Sequence, residues 1–379
     1  MSPSSRLLHR ALVLGAVSFC WIFALLGQDE FPAAERIVAV GDVHGDFDRF
    51  TALLRDAGII DKKQKWIAGR TQLVQTGDLL DRGPESRRVM DLLMRLEGQA
   101  LKAGGRVHVL LGNHEAMNMY GDLRYVSEGE YAAFRSPQSE KVRDAYFEKH
   151  VATALLKGHE RGEEIQLRTK WYAAHPLGWV EQRFAFGPSG AYGKWLRQKN
   201  AVIKIGDILF LHGGISPKYS TWSIRQLNDA VRKELADFRL LENGVVADPA
   251  GPLWYRGLAE APEAETAEAV GEVLQRYQVK HVVIGHTPTR GAVLPRFGGK
   301  VILIDVGLSK FYGGPLACLI IDKSRFQALH RGTRLDLPSG GQADLSAYLK
   351  AAAALDPKPS PLEPLISGNA PVVLSTERQ

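Results

Sequence analysis

A layered α/β fold is what this sequence predicts, and three observations predict it. Six short runs of β-branched or leucine-rich residues each end at a glycine, five of them with a polar residue beside it. Helix-like stretches separate the first three runs, the alternation of a layered sheet. The chain of 379 residues is 45% hydrophobic and 24% charged, ordinary globular composition with room for a sizeable core. Wholesale disorder, collagen and coiled coil are excluded on the same ground.

Residues 11–27, ALVLGAVSFCWIFALLG, carry no charge. Arg6, His9 and Arg10 precede them, and Asp29, Glu30 and Glu35 follow. A basic start and an apolar run read as an export signal, with the rest of the chain across the membrane. The run is long for a signal and short of the roughly 20 residues that span a bilayer. Residues 1–34 are therefore read as a signal peptide or N-terminal membrane anchor, with cleavage favoured. The expected location is the periplasm, free or anchored facing it.

The catalytic unit is expected over 35–335. Its strand-like runs are RIVAVGD (36–42), QLVQTGD (72–78), RVHVLLGN (106–113), DILFLHG (207–213), HVVIGH (281–286) and VILIDVG (301–307). The first is followed by a helix-like FDRFTALLRDAG (47–58). The second is followed by PESRRVMDLLMRLEGQA (84–100), with Pro84 at a plausible first helical position and Val89, Leu92, Leu93 and Leu96 on one face. Residues 118–200, rich in aromatic and charged side chains, are expected to form a mostly helical insertion over the strand ends. Most of its aromatics are expected to pack its own small core. Two further helical patterns in 222–278 flank VADPAGPLWYRG. Residues 336–379 are expected to hold a helix and then a disordered tail. Only two cysteines occur, so a disulfide framework and a cysteine zinc site are excluded, and Cys318 in PLACLII reads as a buried small hydrophobe. The net charge is +6, of which Arg6 and Arg10 supply two. The remaining mild excess suits anionic partners without indicating nucleic acid.

Five motifs sit at the strand ends: GDVHGD (41–46), GDLLDRG (77–83), GNHE (112–115), HGG (212–214) and GHTPT (285–289). In an open α/β sheet, ligands bind beyond the carboxyl ends of the strands. Asp42, His44, Asp78, Asn113, His212 and His286 would converge there. Three imidazoles, two carboxylates and one amide oxygen suit Mn, Fe, Zn or Ni. Six ligands are too many for one open catalytic ion and right for two that share a carboxylate, roughly 3.5–4 Å apart. Such a pair supplies a metal-bridging hydroxide, so no side-chain nucleophile is required. Each motif alone is weak, since a strand-end Asp or His is commonly structural. The signal is five in order.

This set resembles the signature of the PPP-type calcineurin-like metallophosphoesterases over about residues 36–330. GH where eukaryotic members have AH makes it similar to the bacterial-type branch, and the long insertion with WLR (195–197) before LFLHGG (209–214) resembles most the bacterial Shewanella-like protein phosphatases. The resemblance implies a metallophosphoesterase fold and two metal ions, Mn, Fe or Zn. Asp42 and His44 would hold the first, Asp78 would bridge, and Asn113, His212 and His286 would hold the second. His114 would protonate the leaving oxygen, oriented by Asp81. Arg82 would grip phosphate as a planar fork. A second phosphate-binding arginine is expected at Arg197 or Arg256, with Arg197 slightly favoured. Tyr312 is expected to serve ordinary packing more than to line the pocket. His108, His150, His159, His175, His281 and His330 carry no motif.

The expected function is metal-dependent phosphomonoester hydrolysis on phosphorylated proteins or peptides, with a lean toward phosphotyrosine. The alternative is hydrolysis of dinucleoside polyphosphates such as diadenosine tetraphosphate, whose enzymes share these motifs. A degenerate binding module is disfavoured because no ligand or acid position departs from the pattern. A nucleic-acid track and a P-loop are absent from the sequence. Membrane contact is expected only through the N-terminal segment.

Overall fold

In the computed structural model, residues 27–369, 371, 373 and 374 are described. The signal or anchor reading of residues 1–34 falls almost wholly outside them. No helix among the described residues is long and apolar enough to cross a membrane.

Among the described residues, two six-stranded sheets contribute to one buried core. In one, β2 (Arg36–Val40), β3 (Gln72–Gln75) and β4 (Arg106–Val109) run parallel, with Val38 opposite Leu73 and Leu73 opposite Val107. Their inward residues are fully buried, as both faces of a parallel sheet should be. β10 (Ala317–Asp322), β11 (Arg325–His330) and β12 (Thr333–Asp336) extend that sheet as an antiparallel meander from β2. In the other, β6 (Ile208–Leu211), β7 (His281–Ile284) and β9 (Val301–Leu303) are parallel. β5 (Val202–Ile205) and β8 (Leu294–Arg296) flank them antiparallel, and β1 (Glu30–Phe31) adds to β5. All six anticipated strands form, and among the described residues six more join them. The carboxyl ends of β2, β3, β4, β6 and β7 point to one place, and the five motifs follow those strands.

The helices fill in between. Helix Phe47–Asp56 is capped by the Asp46 carboxylate, which accepts from Arg49 N at 3.2 Å, and it buries Phe50, Leu53 and Leu54. Each such side chain contributes roughly 2 kcal/mol of transfer free energy. The next helix spans Ser86–Lys102, so Pro84 lies outside its first turn. Pro84 packs instead against Gly129, where a Cβ would lie 2.3 Å from the proline Cβ. The insertion is helical at Glu128–Ala132, Ser139–His150, Ala152–Leu156, Arg161–Ala174, Trp179–Phe186 and Ala191–Leu196. Phe147 is fully buried against Trp171 and Tyr172, as expected for a local core, while Ile165 and Phe184 stay exposed.

Two boundaries differ from expectation. The folded unit begins before residue 35, because Asp29 O accepts from Lys204 N at 2.9 Å and Gln28 O accepts from the Asn200 amide at 2.8 Å. The expected disordered tail is not found through residue 369. After helix Gln342–Leu355 the chain folds back, with Leu362 fully buried. The Asp356 carboxylate collects His330, Arg331 and Ser360 at 3.0, 2.6 and 2.7 Å. Cys318 is buried in β10, as expected.

Candidate metal centre

The ends of the two sheets approach closely because glycine leaves room there. A Cβ on Gly112 would lie 2.1 Å from Asp78 Oδ1, and one on Gly285 would lie 2.5 Å from Asp42 Oδ1. Beyond these glycines the backbone turns sharply. His44, Asp78, Asp81, Arg82 and His286 all adopt left-handed φ, between +46° and +70°. That conformation is costly for a residue with a Cβ, and here it aims every one of these side chains inward.

Asp42, His44, Asp78, Asn113, His212 and His286 come together, all buried. Asp78 Oδ2 is the hub, 3.9 Å from His44 Nε2, 3.8 Å from His114 Nε2 and 3.2 Å from His212 Nε2. Asp42 Oδ2 lies 3.9 Å from His44 Nε2, and Asp42 Oδ1 accepts from His286 N at 3.1 Å. The ligand atoms of Asp78, His212 and His286 fall within 4.8 Å of one another. So do those of His44, Asp78 and His114.

The other ring nitrogen of three histidines faces a backbone carbonyl. His44 Nδ1 meets Leu80 O at 2.9 Å, His212 Nδ1 meets Thr76 O at 2.9 Å, and His286 Nε2 meets Trp254 O at 3.0 Å. These contacts assign the proton to the carbonyl side and turn a lone pair toward the centre. His212 Nε2 then faces Asn113 Oδ1 at 3.0 Å and Asp78 Oδ2 at 3.2 Å. Three acceptors so close repel one another until a cation sits among them, so the residues present fit a metal. Burial and the neighbouring His114 and Arg82 hold His44 down at about 4. Burial, Arg256 and His212 hold His286 well below the usual imidazole range. Both are thus neutral at physiological pH, the form that binds metal. Burial works against an ionised Asp78, yet the protonated forms of His212, His114 and His44 draw it well below the usual carboxylate range. Asp42 is raised by burial and by the charges of Asp305 and Asp78.

His114 is held differently. Its Nδ1 meets the Asp81 carboxylate at 2.5 Å, and its Nε2 remains toward Asp78. Burial opposes its protonation, but Asp78 and Asp81 outweigh that and raise it. The Arg82 guanidinium lies over the Tyr125 ring at 4.1 Å and beside the exposed Phe311 at 4.9 Å.

Of the two candidate second arginines, the structure brings in Arg256. It donates to His286 O at 2.8 Å, and the charges of Asp305, Asp42 and Asp78 act on it. Arg197, the favoured choice from sequence, does not reach the site. Its Nε donates to Leu235 O at 3.0 Å and its Nη1 to Phe186 O and Gly193 O at 3.1 and 3.0 Å, where it ties the insertion to helix Ile224–Ala236. Tyr312 lies against the His44 ring at 5.5 Å, so it lines the centre rather than only packing.

Sequence reasoning missed four contributors. Glu115 accepts from Asp78 N, Leu79 N and Gly112 N, each at 2.8 Å, and so locks two motif loops together. It stood inside GNHE without a role. Asp305, raised to about 6 by burial, follows β9 behind Asp42. Its place in VILIDVG was visible, but nothing distinguished it from a turn residue. Tyr125 and Asn118 lie in the insertion, with no motif signal. His108 faces Gln72 and His281 faces Gly299 O, both structural.

Known proteins are similar to this chain. The model of the family described as calcineurin-like phosphoesterase matches residues 35–290. Shewanella-like protein phosphatase 2 of Arabidopsis thaliana is 31% identical over 297 residues, 75% of this chain and 74% of that protein. Shewanella-like protein phosphatase 1 of Plasmodium berghei is 27% identical over 307 residues, 78% and 74% of the two chains. The crystal structure of the cold-active protein-tyrosine phosphatase of a psychrophile Shewanella sp. superposes with a TM-score of 0.63 at 30% identity, covering 82% of this chain and 84% of that one.

Proposed function

The chain belongs to the calcineurin-like phosphoesterase family, alongside the Shewanella-like protein phosphatases, and from that premise we propose that it hydrolyses phosphomonoesters on proteins, phosphotyrosine ahead of phosphoserine and phosphothreonine. One observation carries the reading. Three histidines tied to carbonyls turn lone pairs to a shared carboxylate, while a fourth, His114, is tied to a carboxylate and holds a proton.

Two metal ions, Mn, Fe or Zn, held by Asp42, His44, Asp78, Asn113, His212 and His286 would polarise the phosphoryl oxygens and lower the pKa of water. Arg82 and Arg256 bind phosphate oxygens and set the ester's orientation. Tyr125 and Phe311 hold the Arg82 plane in place. His114 Nε2 delivers its proton to the leaving oxygen, and Asp81 stabilises the imidazolium beforehand. A phenolate leaves more readily than an alkoxide, so an aryl ester asks less of His114.

The test is phosphate release by the full chain, stripped of metal and reloaded with Mn²⁺. The panel holds phosphotyrosine, phosphoserine and phosphothreonine peptides beside diadenosine tetraphosphate. Metal-dependent release from peptides, fastest from phosphotyrosine, is expected. Turnover of the dinucleotide alone would move the protein to the nucleotide hydrolases. From the charge pattern around residues 11–27 we also place the catalytic unit outside the cytoplasm; recovery only in the cytoplasmic fraction of cells would overturn that.

A further inference from the structure

Asp81 spends only one of its carboxylate oxygens on His114. The other, Oδ1, accepts from Asn118 Nδ2 at 2.8 Å. Asn118 Nδ2 also donates to His114 O at 3.1 Å, one helical turn back in helix Asn113–Tyr120. A carboxylate can only accept, so the amide must face it with nitrogen, which leaves Asn118 Oδ1 pointing away. That oxygen accepts from Gln182 Nε2 at 2.9 Å. Gln182 lies in helix Trp179–Phe186, inside the insertion. Asp81, Asn118 and Gln182 are 0%, 1% and 2% exposed, so water does not compete for these bonds.

Two details argue that the chain of bonds is more than packing. Gln182 Oε1 is buried with no partner. An apolar side chain of similar size would avoid that cost, so what the glutamine contributes is its one donated bond. In addition, Asp81 and Arg82 hold left-handed backbone, which needs outside support. The insertion supplies it: Glu130 Oε1 accepts from Asp81 N at 3.4 Å, Tyr125 O accepts from Arg82 N at 3.1 Å, and Ser127 Oγ donates to Gly83 O at 3.1 Å.

We propose that Asn118 and Gln182 are positioning residues for the leaving-group acid, a relay through which the insertion fixes Asp81 and thereby aims His114. The inference rests on the phosphatase reading above. With the relay cut, the Asp81 carboxylate rotates more freely and the imidazole loses its fixed direction. The metal centre, which the relay does not touch, keeps its geometry. The loss therefore falls on esters whose leaving oxygen needs a proton.

The experiment compares kcat on phosphoserine with kcat on p-nitrophenyl phosphate, using the full chain loaded with Mn²⁺. Asn118→Ala is expected to lose about tenfold or more on phosphoserine and less than about threefold on the aryl ester. Gln182→Ala, one bond further away, is expected to move the ratio the same way by less. It decides the question alone should Asn118→Ala fail to fold. A second readout needs no turnover: the downfield proton of the short His114–Asp81 hydrogen bond, identified by its disappearance in Asp81→Asn, should shift or broaden in both variants. Equal losses on the two esters, or an unchanged ratio with an unchanged proton resonance, would overturn the relay and leave the phosphatase reading standing. A wild-type protein that hydrolyses neither ester would overturn both.

Discussion

The two halves of the centre are held by different parts of the chain. On the metal side, the histidine ligands are fixed by main-chain carbonyls of Thr76, Leu80 and Trp254 in the loops beyond the sheets. On the acid side, His114, Asp81 and Arg82 are fixed by side chains and carbonyls of the insertion, from Asn118, Tyr125, Ser127, Glu130 and Gln182. Main-chain supports come with the fold and tolerate sequence change. Side-chain supports must be chosen residue by residue. The three histidines are thus held by the backbone at the sheet ends, with Glu115 locking the Asp78 loop, and on the proposed reading the acid half depends on side chains chosen by the insertion.

The comparison breaks most severely at the hub. Asp78→Asn should reduce turnover by on the order of 10³-fold or more, on aryl and alkyl phosphates alike, because both proposed metal positions would share that oxygen. Steady-state kinetics on the two ester types would show it, and a loss confined to one type would contradict a shared hub. His114→Asn should separate the halves. A fall of about 10²-fold on phosphoserine and a clearly smaller one on p-nitrophenyl phosphate is expected, and bound metal measured by elemental analysis should be unchanged. Tyr125→Leu removes the ring beneath Arg82. The contact is worth about 1 kcal/mol, so KM for both esters should rise about fivefold. An unchanged KM would mean Arg82 holds its plane without help. Arg197→Ala should have the smallest effect on chemistry. The carbonyls of Leu235 and Phe186 lose their side-chain donor, so the protein should be less stable to denaturant by about 1 to 2 kcal/mol, while kcat stays as it was. A lost kcat at full stability would return Arg197 to the site.

The metal half was legible in the sequence, and the acid half only partly. Asp42, His44, Asp78, Asn113, His212 and His286 each follow a strand within a short motif, so strand topology alone carries them to one place. Asn118 and Gln182 lie 64 residues apart and meet only because two helices cross. No local pattern encodes that. The missed strands have similar causes. β1 is two residues long, β11 buries its last four residues in a row and so shows no alternation, and β12 is largely exposed. Arg197 misled because a guanidinium near a motif reads alike whether it meets phosphate or main-chain carbonyls. Only the carbonyls of Leu235, Phe186 and Gly193 decide it.

The left-handed backbone at His44, Asp78, Asp81, Arg82 and His286 sets a limit on how this protein could be engineered. Glycine at any of these positions relieves roughly 1 kcal/mol of backbone strain. A selection for heat tolerance alone would therefore be drawn toward glycine at five positions of the proposed centre. Its winners would be robust and inert. Any campaign to harden this scaffold has to score turnover in every round, or confine its library to regions such as the exposed face of helix Arg161–Ala174, where no side chain is buried.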